Sequence, residues 1–252
     1  MKCLILAAGY ATRLYPLTEN FPKPLLEVSG KTILDWLIDD IEKRKIINEY
    51  IIVSNHKYVE QFNNWKEKKK LSCPIAIIDD LSTSNEERVG AVKDIALVIK
   101  KLKIHEDLLV IAGDNLLDFS LNSFINYYLK KQKTCIMRYY EENREKIKKS
   151  ACVLISDNDH VLEMHEKPNE PNSNWCVPPF YIYNKDTLKM VDKALKDGCN
   201  YDSPGSLIAY LYDKVDIYAM EMPGKRYDIG TLENYQEMCK NYDKILQKNL
   251  NN

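Results

Sequence analysis

The chain has no C-x-x-C pair, and its seven cysteines are an odd number. A disulfide framework and a cysteine-bound zinc site are therefore disfavoured. No segment approaches the roughly 18 continuous apolar residues that a membrane helix needs. The N-terminal apolar run, Cys3 to Ala8, is too short for a signal peptide and ends in a loop. These absences predict a cytosolic (cytoplasmic) protein with reduced thiols and no membrane partner. Charge of one sign is also lacking: 36 basic residues stand against 37 acidic ones, for a net charge of −1. Such a balance gives no global attraction to nucleic acid or to an anionic surface. The runs Lys68-Lys69-Lys70 and Lys100-Lys101 read as solvated helix ends. No glycine- or serine-rich linker and no internal repeat divides the 252 residues, which predicts a single domain, 1–252, with one continuous sheet.

Familiar ligand motifs are incomplete. Ser29-Gly30-Lys31-Thr32 imitates the end of a P-loop, but the glycine required five positions before Gly30 is Leu25. Gly9-Tyr10-Ala11 lacks the dinucleotide G-x-G-x-x-G spacing. Asp157-Asn158-Asp159 imitates a calcium loop, but the glycine position holds Leu162. His160 and His165 lie five apart across a predicted strand, and that parity sets them on opposite faces.

What is present is an alternation of strand and helix. Leu4–Ala8, Tyr50–Val53, Ile75–Ile78 and Leu108–Ala112 read as strands. Between them, Ile33, Leu34, Trp36, Leu37, Ile38 and Ile41 share one face at helical spacing, and helices are predicted over 56–70 and 89–102. The alternation implies crossover connections: an α/β fold with a mixed, mainly parallel sheet flanked by helices. After about Lys133 the pattern changes. Thr134–Tyr140, Ala151–Ile155, Val161–Met164, Phe180–Tyr183 and Val215–Met220 read as strands, with a hairpin turn at Asp157-Asn158-Asp159. Helices are predicted over Thr187–Lys196, Pro204–Leu211 and from Thr231 to about Lys248.

Four short elements carry chemistry. The first strand opens into Gly9-Tyr10-Ala11-Thr12-Arg13, and Lys23, flanked by Pro22 and Pro24, follows. A loop without bulky side chains lets backbone N–H groups approach a polyphosphate. Two cations beside it can hold phosphate charge while a phosphorus centre is attacked. Gly113-Asp114-Asn115 sits at the carboxyl end of a strand, the edge where open α/β sheets bind ligands. A carboxylate there suits Mg²⁺, which takes one or two carboxylates together with phosphate oxygens. Glu166-Lys167-Pro168 ends a strand, and Asp228 in Arg226-Tyr227-Asp228-Ile229-Gly230-Thr231 precedes a helix. Each alone has a plainer reading: a tight turn, a capping aspartate, a charged loop, a helix cap.

Taken in order, the four resemble the sugar-phosphate nucleotidylyltransferase family, the group of glucose-1-phosphate thymidylyl- and uridylyltransferases, over nearly the whole chain. The resemblance implies a Rossmann-like α/β fold of the nucleotide-diphospho-sugar transferase type, with a nucleotide-binding half, 1–132, and an acceptor-binding half, 133–252. It implies an NTP and a phosphorylated small-molecule acceptor as partners, and Mg²⁺ as cofactor. Arg13 and Lys23 would be catalytic. Leu6, Ala7, Ala8, Gly9, Tyr10, Ala11, Thr12 and Asp114 would bind the nucleotide. In this family an amide side chain and a glycine five residues on contact the base, and Asn85 and Gly90 match that spacing. Asp114 and Asp228 would hold the metal. Glu166 and Lys167 would face the acceptor, with Lys167 on its phosphate. That phosphate is already a dianion, so no general base is needed; the obstacle is bringing two anions together.

The chain departs from the family pattern at two places. Ala11 stands where a second loop glycine is usual, and alanine disfavours positive φ. Trp175-Cys176-Val177-Pro178-Pro179-Phe180-Tyr181 replaces a glycine-led approach to an aromatic strand. Trp175, Tyr181 and Tyr201 add aromatic surface in the acceptor half, and an aromatic pocket can hold a quaternary ammonium. Two acceptors therefore stay open, a sugar 1-phosphate and, with CTP as donor, a non-sugar phosphate such as phosphocholine. The oligomer contacts of longer relatives do not carry over, and self-association into a homo-oligomer is left open.

Overall fold

A computed structural model describes residues 1–250 of the chain. The first strand, β1 (Lys2–Leu6), leads to a short hairpin of β2 (Glu27–Val28) and β3 (Lys31–Thr32). Ser29 and Gly30 turn it with φ of +51° and +77°, so the P-loop imitation is a two-residue hairpin turn. Helix α1 (Ile33–Glu42) starts on a capping box: the Thr32 hydroxyl accepts from the Asp35 N–H at 3.0 Å, and the Asp35 carboxylate from the Thr32 N–H at 3.3 Å. Its buried face carries Ile33, Leu34, Leu37, Ile38 and Ile41. Each such side chain removed from water contributes about 1.5–3 kcal/mol.

Then come β4 (Tyr50–Ser54), α2 (Val59–Glu67), β5 (Ile75–Asp79), α3 (Ala91–Lys101), β6 (Leu108–Ala112), β7 (Asn115–Leu117) and α4 (Asn122–Lys131). They are followed by β8 (Thr134–Tyr140), α5 (Arg144–Ile147), β9 (Ala151–Ile155), β10 (Val161–Glu166), β11 (Trp175–Val177) and β12 (Phe180–Tyr183). The chain continues with α6 (Lys185–Leu188), α7 (Val191–Lys196), α8 (Gly205–Leu211), β13 (Ile217–Glu221), β14 (Arg226–Asp228) and α9 (Leu232–Leu250). Among the described residues no helix is long and apolar enough to cross a membrane.

The chain forms two compact units. One holds residues 1–4, 89–111 and 123–222. Its strands run in the order β10-β9-β11-β8-β12-β6, with β13 parallel beside β8. The other holds residues 5–88, 112–122 and the segment from Pro223 onward. There β4 and β5 pair in parallel, the Ala7 N–H donates to the Val53 carbonyl, and β7 pairs antiparallel with β14. Parallel pairs, antiparallel pairs and flanking helices make the mixed α/β sheet that the sequence pattern predicts. In the second unit Leu14, Leu26, Val28, Ile33, Leu116, Ile229, Met238 and Tyr242 form one apolar cluster. The Tyr242 hydroxyl donates to the Leu117 carbonyl at 2.7 Å. This cluster anchors Leu14 and Ile229, the immediate neighbours of Arg13 and Asp228.

Several elements differ from expectation. The helix predicted over Thr187–Lys196 is two helices, α6 and α7, separated by a tight turn in which the Met190 N–H donates to the Thr187 carbonyl. Trp175–Val177 forms a further short strand, β11, which Pro178 and Pro179 separate from the expected strand β12, because proline removes a ladder donor. Asp228 is no helix cap: it ends strand β14, and Thr231 fills the capping role by accepting from the Asn234 N–H at 3.3 Å.

Candidate active site

The glycine loop after β1 lines a cleft of ≈ 360 Å³ in the second unit. Leu6, Ala7, Gly9, Tyr10, Ala11, Thr12, Arg13, Lys23, Asn85 and Asp114 border it. Nothing stands within 4 Å of a Cβ placed on Gly9, so the backbone there is open. Among the described residues the N–H groups of Gly9 and Tyr10 donate to no backbone carbonyl. Such unspent donors suit an anion. Ala11 adopts the left-handed region at φ 47°, ψ 41°. The backbone thus keeps the conformation a glycine would take, and the Thr18 hydroxyl fixes it by donating to the Ala11 carbonyl at 2.8 Å.

Lys23 lies in a short 3-10 turn, Lys23–Leu25, that the extended Pro22 introduces. Its residue is only 6% exposed. Its Nζ donates to Asp114 Oδ2 at 2.8 Å and to Asp228 Oδ1 at 3.1 Å. The two carboxylates, far apart in sequence, therefore converge on one cationic point. Gly113 permits this turn at the end of β6: a Cβ there would stand 2.8 Å from the Ile5 side chain. Asp114 is steered from its other side. The Asn115 side-chain N–H donates to Asp114 Oδ1 at 2.9 Å, and Arg226 Nη1 donates to Asn115 Oδ1 at 2.8 Å. Burial opposes the charge on Asp114. The ammonium of Lys23 and, after it, the guanidinium of Arg226 outweigh that effect and hold the carboxyl below its ordinary range. Arg13 is exposed at the cleft, facing Gly230, where a Cβ would stand 3.6 Å from Nη2.

Glu166 and Lys167 belong to the first unit. They border a separate cavity of ≈ 510 Å³, in which Lys167 Nζ donates to the Ser203 hydroxyl at 2.8 Å. Burial pushes the Glu166 carboxyl up from its usual range, against the opposing pull of Lys167. Gly90 opens α3 at φ 96°, and a Cβ there would meet Tyr201 at 2.7 Å. The aromatic residues expected at the acceptor are otherwise engaged. Tyr181 is 2% exposed and stacks on Tyr183, so its assignment to a pocket wall is corrected to core packing. The Trp175 ring lies 4.8 Å from the Arg138 guanidinium and edge-on to Tyr140. Tyr201 carries the Lys93 ammonium 3.5 Å from its ring centroid. Neither Trp175 nor Tyr201 borders the Glu166 cavity.

A glycine loop, Arg13, Lys23 and Asp114 line one cleft, Asp228 meets Lys23 there, and the sequence matches the family described as nucleotidyl transferase over residues 2–245. The chain belongs to the nucleotidyl transferase family. The bifunctional protein GlmU of Methanococcus aeolicus is 33% identical over 231 residues, covering 91% of this chain and 51% of that protein. The UTP–glucose-1-phosphate uridylyltransferase AglF of Haloferax volcanii is 25% identical over 249 residues, covering 94% of each. A solved UDP-glucose pyrophosphorylase in complex with UDP-glucose has the same fold, with a TM-score of 0.80, 22% identity, and coverage of 96% of this chain and 98% of that one. The chain spans about half the length of the GlmU relatives it matches.

Sequence reasoning missed several residues of this nucleotidyl transferase cleft. Arg88 and Gly230 border it, and Arg88 was legible as a third cation three positions after Asn85. Asn115 and Arg226 stand in the quoted motifs, but their link to each other was hidden, since it depends on a pairing of two distant strands. Ala8, expected at the nucleotide, does not border the cleft; its carbonyl accepts from Asn55 Nδ2 at 3.0 Å.

Proposed function

We propose that this chain transfers a nucleoside monophosphate from an NTP to a phosphorylated acceptor, a sugar 1-phosphate, and releases pyrophosphate. The observation that carries the reading is the Lys23 ammonium clasped by Asp114 and Asp228 at the glycine-loop cleft. The family match and a relative named for uridylyl transfer to glucose 1-phosphate support it.

In this reading the open N–H groups of Gly9 and Tyr10 receive the triphosphate. Arg13 and Lys23 neutralise charge on the α-phosphate and on the departing pyrophosphate, where removing one such group costs ~10²–10³-fold in rate. Asn85 meets the base. Lys167 holds the acceptor phosphate, and Glu166 accepts from the acceptor. A phosphate oxygen of the acceptor forms the new bond to the α-phosphorus as the bond to pyrophosphate breaks.

Asp114 and Asp228 fit Mg²⁺. Hard carboxylate oxygens converge there on a point that already attracts a cation, and Mg²⁺ takes few protein ligands when phosphates supply the rest. The ion would supply charge neutralisation on the triphosphate. The product would be an activated sugar nucleotide for glycoconjugate or polysaccharide synthesis.

The test is a matrix of the common NTPs against sugar 1-phosphates and phosphocholine, read by pyrophosphate release. Signal with a sugar 1-phosphate is expected. Signal only with CTP and phosphocholine replaces the acceptor, and silence throughout ends the reading.

A further inference from the structure

The first unit holds another hollow, which the proposed reaction does not use. Ile99 on α3, Ile104 in the turn after it, Leu188 on α6 and Val191 on α7 line a cavity of ≈ 400 Å³. Ile104, Leu188 and Val191 are buried, so the floor of this cavity is the apolar core itself. Its size suits a small molecule.

The rim has one sign of charge in excess. Lys100, Lys103, Lys185 and Lys189 border the cavity, against a single carboxylate, Asp192. Lys189 is spent on Asp186 at 2.6 Å. Lys100, Lys103 and Lys185 form no salt bridge among the described residues.

Lys103 is held in place at a cost. The Ile104 N–H donates to the Ile99 carbonyl at 3.0 Å, which closes α3 with a Schellman turn and puts Lys103 at its left-handed position, φ 50°. Glycine takes that conformation without strain. The helix dipole favours cations in the last turn, and Lys100 and Lys101 already supply them. The Lys103 ammonium is therefore surplus to the helix, and it stands on the cavity rim.

An apolar floor under several ammonium groups fits an anion with an apolar body. No arginine borders the cavity among the described residues. A guanidinium fork matches a planar carboxylate, whereas lysines act as point charges that together suit a phosphate dianion. We propose that this cavity binds a phosphate monoester of an aliphatic alcohol, with the chain on Ile104, Leu188 and Val191 and the phosphate among Lys100, Lys103 and Lys185. The site is independent of the nucleotidyl-transfer reading.

The test is calorimetric titration of the whole chain with inorganic phosphate and with ethyl, butyl, hexyl and octyl phosphate, below micelle formation. Wild type and the double variant Lys103→Gly/Lys185→Gln are compared. Glycine suits the left-handed position and Lys185 is exposed, so the variant's thermal midpoint is expected to hold or rise. Wild-type affinity should increase about 4-fold per methylene until the cavity is full. The variant should bind octyl phosphate about 3- to 30-fold more weakly, the loss of two exposed ion pairs. No binding of octyl phosphate, no rise with chain length, or equal affinity in the two proteins overturns the proposal. Co-sedimentation with phosphatidylcholine vesicles containing phosphatidic acid then separates two sources of the same chemistry. Octyl phosphate binding with co-sedimentation supports a lipid monoester, and octyl phosphate binding without it supports a soluble one. Co-sedimentation without octyl phosphate binding overturns the cavity as the site.

Discussion

Arg226 donates from Nη1 to the side-chain oxygen of Asn115 at 2.8 Å, and this bond fixes which way Asn115 points its N–H. The amide then donates to Asp114 Oδ1, leaving Oδ2 for the cation at Lys23. In the proposed site both residues would act through Asp114, as positioning residues. Supporting groups of this kind are typically worth ~10–100-fold in metal affinity or activity. Asn115→Ala should lower pyrophosphate release by a factor in that range and raise the Mg²⁺ concentration needed for half-maximal rate. Arg226→Met should do the same. A Mg²⁺ dependence unchanged in both variants would remove the positioning role.

The legible part of this protein was the part carried by residue type in local sequence. Gly9, Arg13, Lys23, Asp114 and Asp228 stood out because their motifs occur together and in order, although each alone has a plainer structural reading. The strands Leu108–Ala112, Thr134–Tyr140, Ala151–Ile155 and Phe180–Tyr183 have the predicted bounds because their apolar runs are interrupted at both ends. Illegible were features created by pairing. Strands β7 and β14 are three residues each, too short for periodicity, yet their pairing delivers Asn115 and Arg226 to Asp114. The partners of Trp175 and Tyr201 were illegible for a related reason. The cations that cover them, Arg138 and Lys93, come from distant positions.

Ala11 holds a left-handed conformation that costs an L-residue about 1–2 kcal/mol. Alanine tolerates it because Thr18 and the following 3-10 turn fix its carbonyl. A β-branched side chain adds crowding at the same φ. Ala11→Val should lose about 1–2 kcal/mol of stability in a urea titration. Ala11→Gly should stay within about 0.5 kcal/mol of wild type, because relief of strain is offset by a more flexible unfolded chain. A valine variant as stable as wild type would show that the loop relaxes.

In the proposed metal site, Lys23 and a divalent cation would compete for the same two carboxylates. Removing the ammonium therefore has opposite effects on binding and on turnover. In Lys23→Met, Mg²⁺ titrated into the nucleotide-free protein should bind more tightly, since Asp114 and Asp228 no longer have a resident cation. The Asp114 carboxyl should titrate at higher pH than in wild type, having lost the main group that holds it down. Pyrophosphate release should fall ~10²–10³-fold, as for loss of a charge-stabilising group. Weaker Mg²⁺ binding in the variant would mean that Lys23 organises the carboxylates and does not compete with the metal.

Glu166 gives the fold a pH dependence of definite sign. Burial is the largest influence on it and pushes its carboxyl up; Lys167 and Ser203 pull the other way without prevailing. Between its ordinary value and the raised folded value, the folded chain binds more protons at Glu166 than the unfolded chain does. Stability from this group is therefore greatest at acid pH and falls as pH rises through that window. Glu166→Gln keeps the shape and removes the titration. Its thermal midpoint should exceed that of wild type at neutral pH and converge with it at about pH 4, below which wild-type Glu166 is protonated in both states. The same substitution should weaken hexose 1-phosphate binding, because a carboxylate that accepts from ring hydroxyls becomes an amide. A variant less stable than wild type at pH 7 would show that the charged carboxylate is held favourably, and that Lys167 and Ser203 outweigh burial.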